Sequence, residues 1–159
     1  MARKAKRSKA TPEDADLILK LYDLRRETVM RQARDFVITQ FWPENYGEFK
    51  AVSFAVGTEH SAWLRQVLTF WDMAAALVLS GAVNENLFFQ CNAEPYFLYA
   101  KFKAFIEPMR KDMSVPDFMA HLEELASKTA EARERVKRLQ ARFQARAAQL
   151  TAAKSSAAD

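Results

Sequence analysis

The stretch SAWLRQVLTFWDMAAALVLSGA, residues 61–82, decides the fold class. Trp63, Val67, Phe70, Ala74 and Leu77 recur at helical spacing and form one apolar stripe, and Leu64, Leu68, Trp71, Ala75 and Val78 form a second. Only Ser61, Arg65, Asp72 and Ser80 interrupt the cylinder. A helix apolar on most of its circumference has to be covered on several sides by other elements, so residues 61–80 are expected at the centre of a helical bundle. The most apolar part, Val67 to Leu79, contains Asp72 and is shorter than the ~20 residues that cross a bilayer. No membrane span is expected, and Gly81 ends the helix.

Working outward, Thr11-Pro12-Glu13-Asp14 combines an N-cap hydroxyl, a proline at the first helical position and acids in the first turn. It predicts a helix from Pro12 to Phe41 with Leu17, Leu21, Leu24, Val29, Ala33, Phe36 and Val37 on one stripe, ended by Trp42-Pro43. Arg25, Arg26, Arg31 and Arg34 fall on its outer face. Residues 48–56 fit both helical spacing and strand alternation, and are read as a short helix because a lone strand would have no partner for its backbone groups. Asn84 is placed to cap a helix over 85–90, and Asn92 another that carries Tyr96, Phe97, Tyr99, Phe102, Phe105 and Ile106 past Pro108 to Lys111. Ser114-Val115-Pro116-Asp117 reads as a capping box opening the last helix. From there Phe118, Leu122, Leu125, Thr129, Ala132, Val136, Leu139, Phe143, Arg146 and Leu150 alternate spacings of four and three, a heptad seam. Glu131 with Arg135 and Glu134 with Arg138 are spaced to pair on the exposed side.

The fold class is therefore all-α: a bundle of about five to six helices with a long coiled-coil-like C-terminal helix. The organisation is a disordered basic tail over 1–10, a helical bundle over 11–127, an extension of the last helix over 128–151 and a frayed tail over 152–159. Composition agrees, with 50% hydrophobic residues but only 3 Gly and 5 Pro in 159. The single cysteine, Cys91, excludes an internal disulfide and reads as a small buried hydrophobe. With no secretion signal legible in the N-terminal residues, a cytoplasmic setting is expected.

The net charge of +4 conceals an asymmetry: residues 1–10 carry +5, residues 11–127 carry −6 and residues 128–159 carry +5. Attraction to polyanions belongs to the ends, since electrostatic attraction at physiological salt decays over about 8 Å. Arg3, Lys4, Lys6, Arg7 and Lys9 are the candidate polyanion-binding residues. Lys101 and Lys103, interleaved with aromatic residues, are expected to face water beside a core stripe.

Catalytic and metal chemistry finds little support. Asp117, His121 and Glu124 share a helical face, but no second helix offers a matching ligand set, so no metal is expected. Two histidines and one cysteine leave no nucleophile beside a base, and the three glycines sit singly, so no phosphate loop, cofactor or catalytic residue is assigned. Arg65 and Asp72 lie seven apart on the central helix and are the candidate buried polar residues, each needing a partner such as a charge of the first helix. A register-fixing ion-pair network is preferred to a polar pocket lined by tryptophans.

The stretch WDMAAALVLSGAVNENLFF followed by YAKFKAFIEPMRK resembles a pattern met in short uncharacterised bacterial helical proteins of unknown function. The likeness covers roughly residues 60–112 and implies a bacterial, cytoplasmic protein without implying an activity. The function expected is a non-enzymatic helical module that binds itself or another protein through Val136, Leu139, Phe143 and Leu150. A nucleic-acid-associated protein using the two basic ends is the alternative, and a small-molecule or metal site in the bundle a second one.

Overall fold

The computed structural model describes residues 9–156, the side chains of 150, 151 and 153–156 excepted. The described residues form eight α-helices and no strand: α1 (Pro12–Arg25), α2 (Thr28–Asp35), α3 (Tyr46–Ser53), α4 (Glu59–Leu79), α5 (Glu85–Cys91), α6 (Glu94–Met113), α7 (Ala120–Lys128) and α8 (Ala130–Ser156). The all-α class is as expected. The count is higher because the first and last predicted helices are each broken.

The first break is at Arg26-Glu27. Glu27 leaves the helical region, with ψ 146°, and its carboxylate accepts the Met30 N–H at 2.9 Å, so it caps α2. Leu24 and Val29 flank this corner and are exposed, while Leu21, Ala33, Phe36 and Val37 are buried. α2 runs into one wider, π-helical turn, Phe36–Gln40, before Trp42-Pro43.

The caps read from the sequence at Thr11, Thr58 and Asn84 accept the N–H groups of Asp14, Ser61 and Leu87. Asn92 does not cap α6. It is buried and donates back to the Phe88 carbonyl, closing α5, and α6 starts after Ala93 with no side-chain cap. Gly81, at φ +81°, turns the chain after α4, and the Ala82 N–H returns to Leu77. Asp14 also accepts the Asn84 N–H at 2.7 Å, pinning α1 to that turn.

α4 is central. It packs against α2, α3, α5, α6 and α7, and Leu64, Val67, Leu68, Trp71, Ala74, Ala75 and Val78 are all buried. The stripe of Trp63, Phe70 and Leu77 is only partly covered, and Met73 is exposed. α6 is the second axis, contacting α3, α7 and α8 and continuing through Pro108.

Ser114 does not open the last helix. It ends α6 in the left-handed region (φ 54°), and after a turn Met119 takes the same conformation (φ 54°) before α7 begins at Ala120. Left-handed non-glycine residues are uncommon and cost free energy, so contacts outside the connection have to hold it. Arg110 provides one, donating to the Phe118 carbonyl and pairing with Glu107 and Glu123.

The second break is at Thr129, whose backbone is extended (φ −105°, ψ 157°) and whose hydroxyl accepts the Ala132 N–H at 3.1 Å. The heptad seam is therefore divided into two helices. α8 turns back along the bundle, packing against α6 and α7, so residues 128–151 are not a straight continuation of the preceding helix.

Candidate functional site

Three polar arrangements stand out, and the sequence anticipated part of one. Asp72, on α4, is half-buried. Its carboxylate accepts the Leu122 N–H at 2.9 Å and meets His121 Nδ1 at 2.9 Å. Met119 has no side chain able to cap α7, so Asp72 supplies the cap from a neighbouring helix, where a carboxylate also suits the helix dipole. Its partner is thus the start of α7 and not the first helix. Arg65 is exposed rather than buried and does not join Asp72. His121 is occupied by Asp72, and no grouping of three or more metal-ligating side chains occurs among the described residues.

The buried charge is instead Glu94, at the first position of α6, with its side chain 9% exposed. Arg34 donates Nε to Oε1 at 2.8 Å and Nη2 to Oε2 at 2.6 Å. Trp71 Nε1 donates to Oε1 at 2.9 Å, and Arg25 Nη1 lies 3.6 Å from Oε2. The Arg25 guanidinium also lies over the Trp71 and Tyr22 rings. Arg25 and Arg34 therefore turn inward from the face expected to be solvated. One carboxylate fixes α1, α2, α4 and α6 relative to one another, a bidentate geometry that suits register better than turnover.

The third arrangement seats α8. Phe143 meets Phe97 and Trp42 edge-on at 5.0 and 5.2 Å, and Trp42 packs edge-on against Phe97 at 5.9 Å. Beneath them Lys101 turns inward, contrary to the expectation that it faces water. Its Nζ donates to the Val37 carbonyl at 2.6 Å and lies 3.7 Å from the Trp42 ring centre, while Lys103 is exposed. The Val37 carbonyl belongs to the last turn of its helix, where main-chain acceptors lack helical partners. Burial, with Arg146 nearby, pushes the Lys101 ammonium down to about 7, against a carbonyl and an indole face that both favour its charged form. Arg135 makes a second α8 anchor, lying 3.5 Å above the Phe89 ring and donating to the Phe89 and Asn92 carbonyls. Burial pulls its pKa down.

These contacts correct the expected interaction surface. Ala132 and Val136 are buried, and Leu139 and Phe143 are half-buried against the core, so the seam is spent inside the molecule. The Leu150 side chain, like Arg3, Lys4, Lys6 and Arg7, lies outside the described residues. Arg135 binds carbonyls of the α5–α6 corner, and no ion pair joins Glu134 to Arg138 among the described residues. Cys91 is exposed, not buried. Lys9 lines a cleft of about 510 Å³ with Thr11, Asp14, Asn84, Glu85 and Lys128, in which Lys128 pairs with Glu85 at 2.6 Å. No described helix is long and apolar enough to cross a membrane.

An all-helical bundle whose polar clusters hold helices together defines a class of architecture. Within that class the chain belongs to the DUF4760 family, described as a domain of unknown function, whose pattern matches residues 10–129. The match ends at the Thr129 break, so α8 follows it. No curated protein and no solved structure matches the chain.

Proposed function

We propose that the chain is a non-enzymatic helical interaction module of the cytoplasm, in which α1 to α7 form the scaffold and α8 is the binding element. One observation carries this reading. After Phe143 docks, residues 144–149 are exposed in succession while the helix continues to Ser156. Isolated helical segments are marginal in water, so a helix whose residues 144–149 are exposed in turn is better explained by a partner than by its own propensity. A second copy or another protein would cover it.

The test compares the full chain with one ended after Gln144, by light scattering and by amide hydrogen exchange. The full chain is expected to show a mass above that of the monomer, and the truncated chain to lose that increase while keeping its melting temperature to within a few degrees. If both are monomers and the distal half of α8 is protected from exchange in the isolated protein, α8 belongs to the scaffold and the reading fails.

A further inference from the structure

The distal part of α8 has a one-sided chemistry. From Arg135 to Ser156 the sequence contains six bases and no acid. At ~100° per residue, Arg138, Arg142 and Arg146 fall within an arc of about 80° on one flank, each about 6 Å farther along the axis. All three are exposed, and no ion pair involves any of them among the described residues. Arg146 rests over the Trp42 ring at 5.1 Å, which holds that end of the row against the bundle. Docking of Val136, Leu139 and Phe143 thus fixes the rotation of the helix and keeps the row beside the docked face, open to solvent.

The neutral residues alongside the row select its ligand. They are Ala141, Ala145 and Gln149. A membrane-seated helix needs large apolar side chains to enter the lipid boundary, and Ala141, Ala145 and Gln149 on the open side of the row supply none. A protein partner is held mainly by buried aromatic or aliphatic anchors, and this flank has none of those either. A phosphate backbone needs only charge and forked donors, which arginine supplies. We propose that Arg138, Arg142 and Arg146 form a sequence-independent contact surface for the sugar–phosphate backbone of nucleic acid. The inference rests on α8 being the binding element, and gives this flank of it a ligand distinct from the protein partner of its distal end. The body, at −6 over residues 11–127, keeps that contact off the rest of the bundle and at the basic ends, of which this flank is one.

The experiment titrates a fluorescent 20-base-pair duplex with the full chain across a series of salt concentrations. Three phosphates neutralised give a log–log salt slope near −2.7. The variant Arg138→Gln, Arg142→Gln, Arg146→Gln is expected to bind at least tenfold more weakly at low salt and to reduce that slope, with a melting temperature only a few degrees lower, from the lost Arg146–Trp42 contact. Lys137→Gln, about 140° around the helix, is expected to change affinity less than twofold. Equal affinity of the triple variant and the parent overturns the inference, as does a salt-independent affinity. So does capture of anionic vesicles or a poly-glutamate peptide, instead of the duplex, that the triple variant abolishes. If the duplex is ignored but the full chain self-associates and truncation after Gln144 abolishes that, only the nucleic-acid inference fails. If truncation changes neither mass nor duplex binding, both fail.

Discussion

Replacing Glu94 by leucine removes the acceptor shared by Arg34 and Trp71 and the counter-charge beside Arg25. Two cations and a donor are then stranded: guanidiniums whose side chains are 24% and 17% exposed, and the indole N–H of Trp71, which is 1% exposed. Removing one member of a buried ion pair costs ~3–5 kcal/mol, but both arginines retain some water, which lowers their share. The indole has none, and an unsatisfied buried donor costs ~1–3 kcal/mol. Together these give a loss of about 3 kcal/mol, which for a chain of this size lowers the melting temperature by roughly 6–12 °C. Thermal and urea unfolding followed by circular dichroism read it directly. Glu94→Gln keeps an acceptor for Trp71 and loses the charge, so it is expected to fall between parent and leucine variant. Adding Arg34→Leu to Glu94→Leu removes one stranded cation and is expected to restore part of the loss. A Glu94→Leu protein within ~1 kcal/mol of the parent, or a double variant whose losses simply add, refutes the assignment of Glu94 as the tie between α1, α2, α4 and α6.

Two further outcomes follow from the α8 seat. Lys101 has a folded pKa near 7, below its unfolded value, so the unfolded chain binds more protons between about pH 7 and 10 and stability rises with pH there. Discounted for the water that reaches it, the gain from pH 7 to 9.5 is about 1–2 kcal/mol, and Lys101→Met is expected to flatten it in urea titrations. Phe143→Ala removes a half-buried ring from Trp42 and Phe97 and is expected to cost about 2 kcal/mol. Hydrogen exchange should speed up in α8 beyond Leu139 and leave α4 unchanged.

The fold was legible wherever a local signal coincided with a cap. Thr11, Thr58 and Asn84 each precede an apolar run and each accepts a main-chain N–H from the first turn. The two missed breaks lack that coincidence. Glu27 caps with a side chain that also favours helix interiors, inside a run of charges that looks continuous. Thr129 occupies a seam position with four-three spacing on both sides, so periodicity hides a residue that caps. In the opposite sense, Ser114 to Asp117 has the form of a capping box. There the chain bends left-handed at Ser114 and Met119, and the cap comes from Asp72, some 50 residues upstream.

The polar clusters were less legible, because their partners lie far apart along the chain, and yet burial alone made a demand that sequence could have followed. A tryptophan at the centre of the most apolar helix needs an acceptor for its N–H. The acceptor had to come from another element, and a glutamate opening a helix just before Pro95 is well suited, since the dipole favours its charge while the rest of α6 is core. A glutamate so placed in turn requires cations, and Arg25 at the end of α1 and Arg34 in the last turn of α2, on either side of the α1–α2 corner, supply them. Glu27 makes that corner possible: by breaking the helix it brings Arg25 and Arg34, nine residues apart, to the same carboxylate. The unrecognised cap and the unrecognised ion cluster are therefore one feature, and a straight helix from Pro12 to Phe41 would turn these two arginines about 180° apart.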